Sequence, residues 1–159
     1  MNKAAILTDP VERIKYIICS FIGTFVYTTH FLKPLNPFLG ETYNATFEDG
    51  TLFYAEQTSH RPPISHYMVY GPNKLYTMNG HALFSSGLHL NKLEVKCAGN
   101  KHIHFQDGSH ITYTLPEEWF YSTLIGTLRH LTLGTVKFFD KKNEIEVQLT
   151  FGDVKNLFF

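Results

Sequence analysis

The sequence has few cysteines, no net charge and none of the common catalytic motifs. Its two cysteines, Cys19 and Cys97, lie far apart and form no Cys-x-x-Cys pair, which argues against a disulfide framework and a thiolate metal site and is typical of a reducing compartment. Fourteen lysines and arginines balance fourteen aspartates and glutamates, so we expect no nucleic-acid partner. Without a Ser-His-Asp, paired-carboxylate or glycine-rich phosphate-loop pattern, we expect no enzyme, cofactor or metal.

The chain also lacks a long apolar run. The most apolar stretch, Tyr16 to Thr28, is shorter than the ~20 residues that span a bilayer. It follows four charged residues and lies too far inside the chain for a signal peptide. We therefore expect a soluble, cytoplasmic protein whose membrane contacts are peripheral.

Aromatic residues are abundant instead. They make up 15% of 159 residues, and such side chains favour half-buried sheet surfaces and can line a lipid cavity. The length predicts a single domain, residues 1–159.

Residues 9 to 28 are predicted to form the one long helix. Asp9 is a good N-cap, Pro10 suits the first helical position and Glu12 completes a capping-box pattern. Apolar residues then recur at three- and four-residue steps, which predicts a helix buried along much of its girth. Packing against a sheet is favoured over a membrane-surface helix because the helix has few cations.

Short strands separated by Gly, Asn and Pro turns follow the helix. We expect a mainly β fold, an antiparallel meander that forms an incomplete barrel. For residues 43–56, a three-residue Glu48-Asp49-Gly50 loop pairs Ala45 with Phe53 and Tyr43 with Ala55, and so collects the apolar side chains on one face. Residues 74–78 and 88–97 are predicted strands, whereas residues 116–124 are expected to be a short helical or irregular crossing.

A second hairpin, residues 101–114, turns at Gln106-Asp107-Gly108. The same loop length places His102, His104 and His110 together on the face opposite the apolar residues. Three imidazoles could bind zinc, and a zinc hydrolase is the enzyme alternative. That face is normally the solvated one, however, and no carboxylate shares it to orient a ligand.

Two proline-containing stretches can present polar side chains at fixed places. Lys33-Pro34-Leu35-Asn36-Pro37-Phe38-Leu39-Gly40-Glu41 cannot be helical throughout. Glu56-Gln57-Thr58-Ser59-His60-Arg61-Pro62-Pro63 ends a strand and holds an imidazole beside a guanidinium. That pair suits a phosphate or a carboxylate, although two solvated side chains at a strand exit remain the alternative.

These two stretches, in this order, resemble the fingerprint motifs of the oxysterol-binding-protein-related family. The helix start at Asp9, Tyr113-Thr114-Leu115-Pro116 and Leu124-Ile125-Gly126 are also similar to that family. The resemblance implies an incomplete β-barrel around an apolar tunnel that carries a sterol or phosphatidylinositol 4-phosphate between membranes. Only eight residues precede Asp9 and the chain ends at Phe159, so we expect the family's lid and the C-terminal part of its domain to be missing.

By the same resemblance, a small set of residues grips the phosphoinositide head group: Lys33, Leu35, Asn36, His60 and Arg61. The family motif usually has two adjacent histidines, and Arg61 replaces the second, so the pH dependence of binding is expected to weaken. The expected partners are a lipid ligand and a membrane surface. The alternative is a phosphoinositide-dependent docking or scaffolding protein without transfer activity.

Overall fold

The computed structural model describes residues 1–28 and 36–152. Lys33 and Leu35 lie outside the described residues. Two helices precede ten strands, with a short 3-10 turn at Pro72–Lys74: α1 Asn2–Ile6, α2 Pro10–Thr28, β1 Thr42–Thr46, β2 Leu52–His60, β3 Pro63–Tyr70, β4 Tyr76–His89, β5 Lys92–Ala98, β6 Lys101–Phe105, β7 His110–Tyr113, β8 Glu117–Tyr121, β9 Arg129–Asp140 and β10 Ile145–Phe151.

All strand pairs of the described sheet are antiparallel, and the order is sequential only from β1 to β5. β8 then pairs with β5, β9 lies between β8 and β7, and β6 returns to pair with β4. The pairing path β4-β5-β8-β9-β7-β6-β4 partly rings the sheet without closing all ten strands into a barrel. The expected incomplete barrel is therefore confirmed, with a strand order that departs from a simple meander after β5.

The two hairpin registers predicted from the sequence are confirmed. Ala45 pairs with Phe53 and Tyr43 with Ala55, and Gly50 adopts a positive φ of 85°, as the three-residue loop requires. In the second hairpin, His104 pairs with His110. The registers hold because a one-residue slip would turn each apolar set to the opposite face.

Two strand predictions were wrong. The segment 116–124, expected to be helical or irregular, contains β8, whose residues pair with both β5 and β9. The predicted strands 74–78 and 88–97 also had wrong boundaries, because β4 continues without a break from Tyr76 to His89. Pairing with three neighbours keeps β4 extended across Gly80 and Gly87.

The helix α2 packs on one face of the sheet, which we call the inner face. Asp9 caps it as predicted, since its Oδ1 accepts hydrogen bonds from the backbone of Val11 (2.8 Å) and Glu12 (3.4 Å). Phe21 contacts the ring of Phe138, with 5.2 Å between centroids. The exposure of Val11, 46%, shows that only one side of the helix is covered. The predicted burial along much of the helix girth is therefore not observed.

Neither helix in the described part of the chain has the length and hydropathy needed to cross a bilayer.

A buried arginine joins both helices to the β6–β7 turn. Arg13 is 3% exposed, and its guanidinium lies 2.7 Å from Asp107 Oδ2 and donates to Ser109 Oγ at 2.7 Å. It also donates to the carbonyl of Ala4 at 3.2 Å and to that of Leu7. A buried charge requires such partners, so this network fixes how the helices sit on the sheet.

The Arg13 network predicts a stability loss in acid. Burial alone would raise the pKa of Asp107, but hydrogen bonds from Ser109 and Arg13 outweigh it and hold the pKa at about 2. Because the folded pKa lies below the unfolded value, the stabilisation is present above about pH 4 and is lost as the pH falls towards 2. We expect Asp107→Asn to lower the free energy of unfolding by about 1 kcal/mol at neutral pH and by almost nothing at pH 2, a discounted figure because the side chain is 42% exposed.

Urea unfolding of both proteins between pH 7 and pH 2 measures this difference. Glu48→Gln is the control, since Glu48 lies in the turn of the other hairpin and makes no ion pair with the described residues. An equal effect of Asp107→Asn at all pH values would contradict the assignment.

Candidate functional site

The two motif segments meet on the backbone of Gln57. The amide of Gly40 donates to the Gln57 carbonyl at 2.8 Å, and the Gln57 amide donates to the carbonyl of Glu41 at 3.0 Å. Gly40 has a φ of 77°, a conformation that glycine adopts without strain. The end of the segment 36–41 therefore lies beside β2 at Gln57, which is three residues before His60. Asn36 is exposed at the start of this segment.

The side chain of Gln57 holds the end of β2 in shape. It is 2% exposed, its Nε2 donates to the carbonyl of Ser59 at 2.8 Å, and its Oε1 accepts from Ser65 Oγ. The pairing of β2 with β3 shifts between Gln57 and Ser59, which is a β-bulge at Thr58. The buried side-chain amide of Gln57 therefore hydrogen-bonds a backbone carbonyl at the bulge, where the regular β2–β3 pairing is interrupted.

The bulge decides which way His60 faces. Thr58 Oγ1 lies 2.7 Å from His66 Nδ1, so Thr58 is on the outer face, the face opposite α2. Ser59 pairs with Ile64 and His60 with Pro63, and this register returns His60 to the side of Gln57 and the inner face. Strict alternation along β2 would have put His60 on the outer face, because no local sequence signal marks the bulge.

His60 and Arg61 are exposed and unengaged. Neither side chain makes a hydrogen bond or ion pair with the described residues. Arg61 lies in the β2–β3 turn before a cis peptide bond to Pro62, and Ser59 Oγ closes the turn by donating to the carbonyl of Pro62 at 2.7 Å. His60 and Arg61 therefore lie together at the end of β2, which we call the rim, three residues beyond the point where Gly40 and Glu41 join Gln57.

The inner face next to this rim carries polar groups that the sequence analysis missed. Tyr67 and Tyr113 are half-buried, and burial raises the pKa of Tyr113 to about 12 and also raises that of Tyr67. Their hydroxyls make no hydrogen bond with the described residues. Lys101, 4% exposed, donates to the carbonyls of Gly99 (3.2 Å) and His81, and burial lowers its pKa. The sequence gives no signal for these three side chains beyond the alternation of faces along a strand.

The outer face carries a histidine cluster and a groove. His102 Nδ1 lies 3.1 Å from His110 Nε2, and the rings of His104 and His110 stack with 4.1 Å between centroids. The grouping predicted from the hairpin register is therefore confirmed. Within residues 1–28 and 36–152, however, no three His, Cys, Asp or Glu side chains are arranged to hold a metal ion. A groove of about 750 Å³ beside the cluster is lined by His66, His81 and His102.

Comparison with known proteins places this architecture in one family. The sequence profile of the oxysterol-binding protein family matches residues 1–158. Oxysterol-binding protein 9 of Dictyostelium discoideum is 32% identical over 163 residues, which cover 99% of this chain and 38% of that protein. Oxysterol-binding protein-related protein 5 of Mus musculus is 28% identical over 158 residues, covering 95% of this chain and 18% of that protein.

Two solved structures share the fold. The Osh1 ORD domain in complex with cholesterol gives a TM-score of 0.81 at 25% identity, over 87% of this chain and 34% of that one. The Osh3 ORD in complex with PI(4)P from Saccharomyces cerevisiae gives a TM-score of 0.77 at 23% identity, over 89% and 38%. The chain thus spans well under half the length of these relatives. It belongs to the oxysterol-binding protein family, whose lipid-binding domains are not enzymes.

Proposed function

We propose that this protein binds a lipid, with a phosphoinositide head group at the rim and the apolar part of a lipid on the inner face. The head-group residues are Lys33, Leu35, Asn36, His60 and Arg61. The observation that supports the proposal is the joining of the two motif segments at Gln57, close to the His60-Arg61 pair at the end of β2. Relatives with this fold have been crystallised with cholesterol and with PI(4)P, and both ligand classes suit such a site.

The proposed head-group residues match the chemistry of a phosphomonoester. Phosphatidylinositol 4-phosphate presents a phosphate with between one and two negative charges and three acceptor oxygens near neutral pH. Arg61 can donate two parallel hydrogen bonds, Lys33 supplies a point charge, and Asn36 and His60 supply further donors. Since His60 and Arg61 make no hydrogen bond or ion pair with residues 1–28 and 36–152, binding breaks no such contact in this part of the chain.

The inner face supplies an environment for the rest of the lipid. Phe53 and Tyr67 stack there with 6.3 Å between centroids, next to the half-buried Ala55 and Val69. Each buried methylene of a ligand contributes about 0.8 kcal/mol. The hydroxyls of Tyr67 and Tyr113, which make no hydrogen bond with residues 1–28 and 36–152, can satisfy the hydroxyl of a sterol or an ester oxygen, which an apolar surface alone would leave unpaired.

On this proposal the protein carries a sterol or phosphoinositide between membranes as a single domain. It works in the cytoplasm, touches membranes peripherally and has no nucleic-acid partner. Docking without transfer is the second candidate. It is favoured by Phe38 and Leu39, which lie in the motif segment and are 78% and 65% exposed, as expected of side chains that enter a bilayer interface.

We expect the double substitution His60→Ala, Arg61→Ala to reduce binding of a short-chain, water-soluble phosphatidylinositol 4-phosphate by at least about tenfold. It removes a charged bidentate donor and a second donor from the phosphate. Isothermal titration calorimetry gives the affinities. Unchanged affinity would contradict the assignment of these residues.

A matched double substitution, His104→Ala, Lys141→Ala, is the control. It also removes one imidazole and one cation, both exposed and away from β2, on β6 and in the β9–β10 turn. Its affinity should equal that of the unchanged protein. Transfer of a fluorescent sterol between vesicles then separates the two candidates, since docking alone moves no lipid.

The presence of Arg61 predicts a weak pH dependence that Arg61→His should strengthen. Arginine stays protonated, whereas histidine loses its charge between pH 6 and pH 8. The ratio of affinities at pH 6 and pH 8 should therefore be roughly three- to tenfold larger for Arg61→His than for the unchanged protein, measured with the same lipid. Equal ratios would show that position 61 does not contact the phosphate.

A further inference from the structure

Four aliphatic side chains project into solvent from two adjacent loops. Leu88 and Leu90, at the β4–β5 hairpin, are 78% and 93% exposed, and Leu124 and Ile125, between β8 and β9, are 74% and 80% exposed. We call these four residues the apolar tip. Single exposed aliphatic residues are common, but four on neighbouring loops mark an interaction site.

One asparagine fixes the two loops together. Asn91 has a φ of 58°, and its Oδ1 accepts hydrogen bonds from the backbone of Leu124 (2.7 Å) and Ile125 (2.9 Å). Its Nδ2 donates to the carbonyl of Ile125 at 2.9 Å, and its own carbonyl accepts from the amide of Thr123 at 3.3 Å. The tip is therefore a preformed surface, and little conformational entropy is lost when it binds.

The charged side chains nearest the apolar tip are cationic, and the carboxylate of Glu94, two residues behind Lys92, is paired with Lys96 Nζ at 2.9 Å. Residues 57–93 and 119–139 contain no aspartate or glutamate. Lys92 directly follows the tip of the hairpin, and Arg129 begins β9 just after the second loop; both are exposed. They belong to one row of the sheet, because Tyr121 pairs with both. A cationic collar around an apolar surface is complementary to anionic lipid head groups above acyl chains.

Two aromatic residues border the same loops. Lys92 Nζ lies 4.9 Å from the centroid of the Tyr121 ring, and Trp119 stacks on His89 with 5.5 Å between centroids. Amphipathic rings of this kind favour the boundary between head groups and hydrocarbon.

The apolar tip lies at the same end of the strands as the rim. Ile64 of β3 pairs with Leu83 of β4, next to the β2–β3 turn that holds Arg61. β4 then continues from residue 84 to His89 before the hairpin turns, which adds ~20 Å along the strand. The tip thus projects beyond the β2–β3 turn in the strand direction.

We propose that the apolar tip inserts into the surface of an anionic membrane, with Lys92 and Arg129 at the level of the lipid head groups. A bilayer fits both parts of this surface. A second copy of the chain would fit less well, because it would bring like charges together at the collar. The inference does not depend on the head-group site at His60 and Arg61.

The test uses the double variant Leu90→Ser, Ile125→Ser and vesicles of phosphatidylcholine and phosphatidylserine that contain no phosphoinositide. Both side chains are solvent-exposed, so the variant should keep its fold, which its thermal unfolding midpoint verifies. The control is Ile6→Ser, Ile22→Ser, which removes two aliphatic side chains that are 68% and 45% exposed on the helices. Vesicle flotation should show roughly tenfold weaker partitioning for the tip variant and no change for the control.

Leu90→Trp combined with Trp119→Phe puts the single tryptophan of the chain at the apolar tip. Lipids brominated along their acyl chains should quench the fluorescence of this variant, whereas Trp119 of the unchanged protein, which pairs with Glu94 two rows behind Lys92, should stay unquenched. Increased salt should weaken docking, since the collar is cationic. Equal partitioning of the tip variant and the unchanged protein would overturn the proposal. It would also be overturned if the unchanged protein did not bind the vesicles but sedimented as a dimer that the tip variant no longer formed. If the unchanged protein docks on these vesicles but does not bind soluble phosphatidylinositol 4-phosphate, the head-group site fails and the tip stands.

Discussion

The backbone of Gln57 is the point on which the rim depends. Its carbonyl accepts from the amide of Gly40 at 2.8 Å and its amide donates to the carbonyl of Glu41 at 3.0 Å, while its buried side chain bonds to Ser59 and Ser65. Gln57 therefore joins the segment 36–41 both to β2 and to the bulge at Thr58. Side chains on a sheet are positioned more firmly than those on free loops. The hydrogen bonds to Gln57 give residues 40 and 41 a comparable support.

The bulge at Thr58 shows how a local irregularity produces the orientation of a site. A regular strand would alternate from Glu56 and turn His60 outward, towards the histidine face. With the shift between Gln57 and Ser59, His60 instead follows the inner face, where the half-buried Tyr67 and Tyr113 lie. Bulges commonly re-aim side chains next to functional sites. Here the same displacement puts His60 on the face opposite His66, which follows only six residues later in the chain.

Local chemistry made several features predictable from the sequence. The cap at Asp9 and the three-residue loops at Gly50 and Gly108 depend on short-range geometry. The registers of the β1–β2 and β6–β7 hairpins follow from those two loops. The return of β6 to β4 and the position of β8 between β5 and β9 were not predictable, because they depend on contacts between distant parts of the chain. For the site, the motif order indicated which residues to consider, but neither the bulge nor the polar groups of the inner face has a signature in local sequence.

The even charge balance of the chain conceals a strong local separation. Residues 41–56 hold four carboxylates, whereas no carboxylate occurs from residue 57 to residue 93. The rim and the β4–β5 hairpin both belong to the second stretch, and they lie at the same end of the strands. With no net charge, the protein is not steered to anionic surfaces over long distances. Attraction acts only within about a Debye length of ~8 Å at physiological salt, so contact must be completed by desolvating apolar side chains. Attraction that acts only at short range allows release as well as binding, which the proposed carriage of a lipid between membranes requires after each encounter.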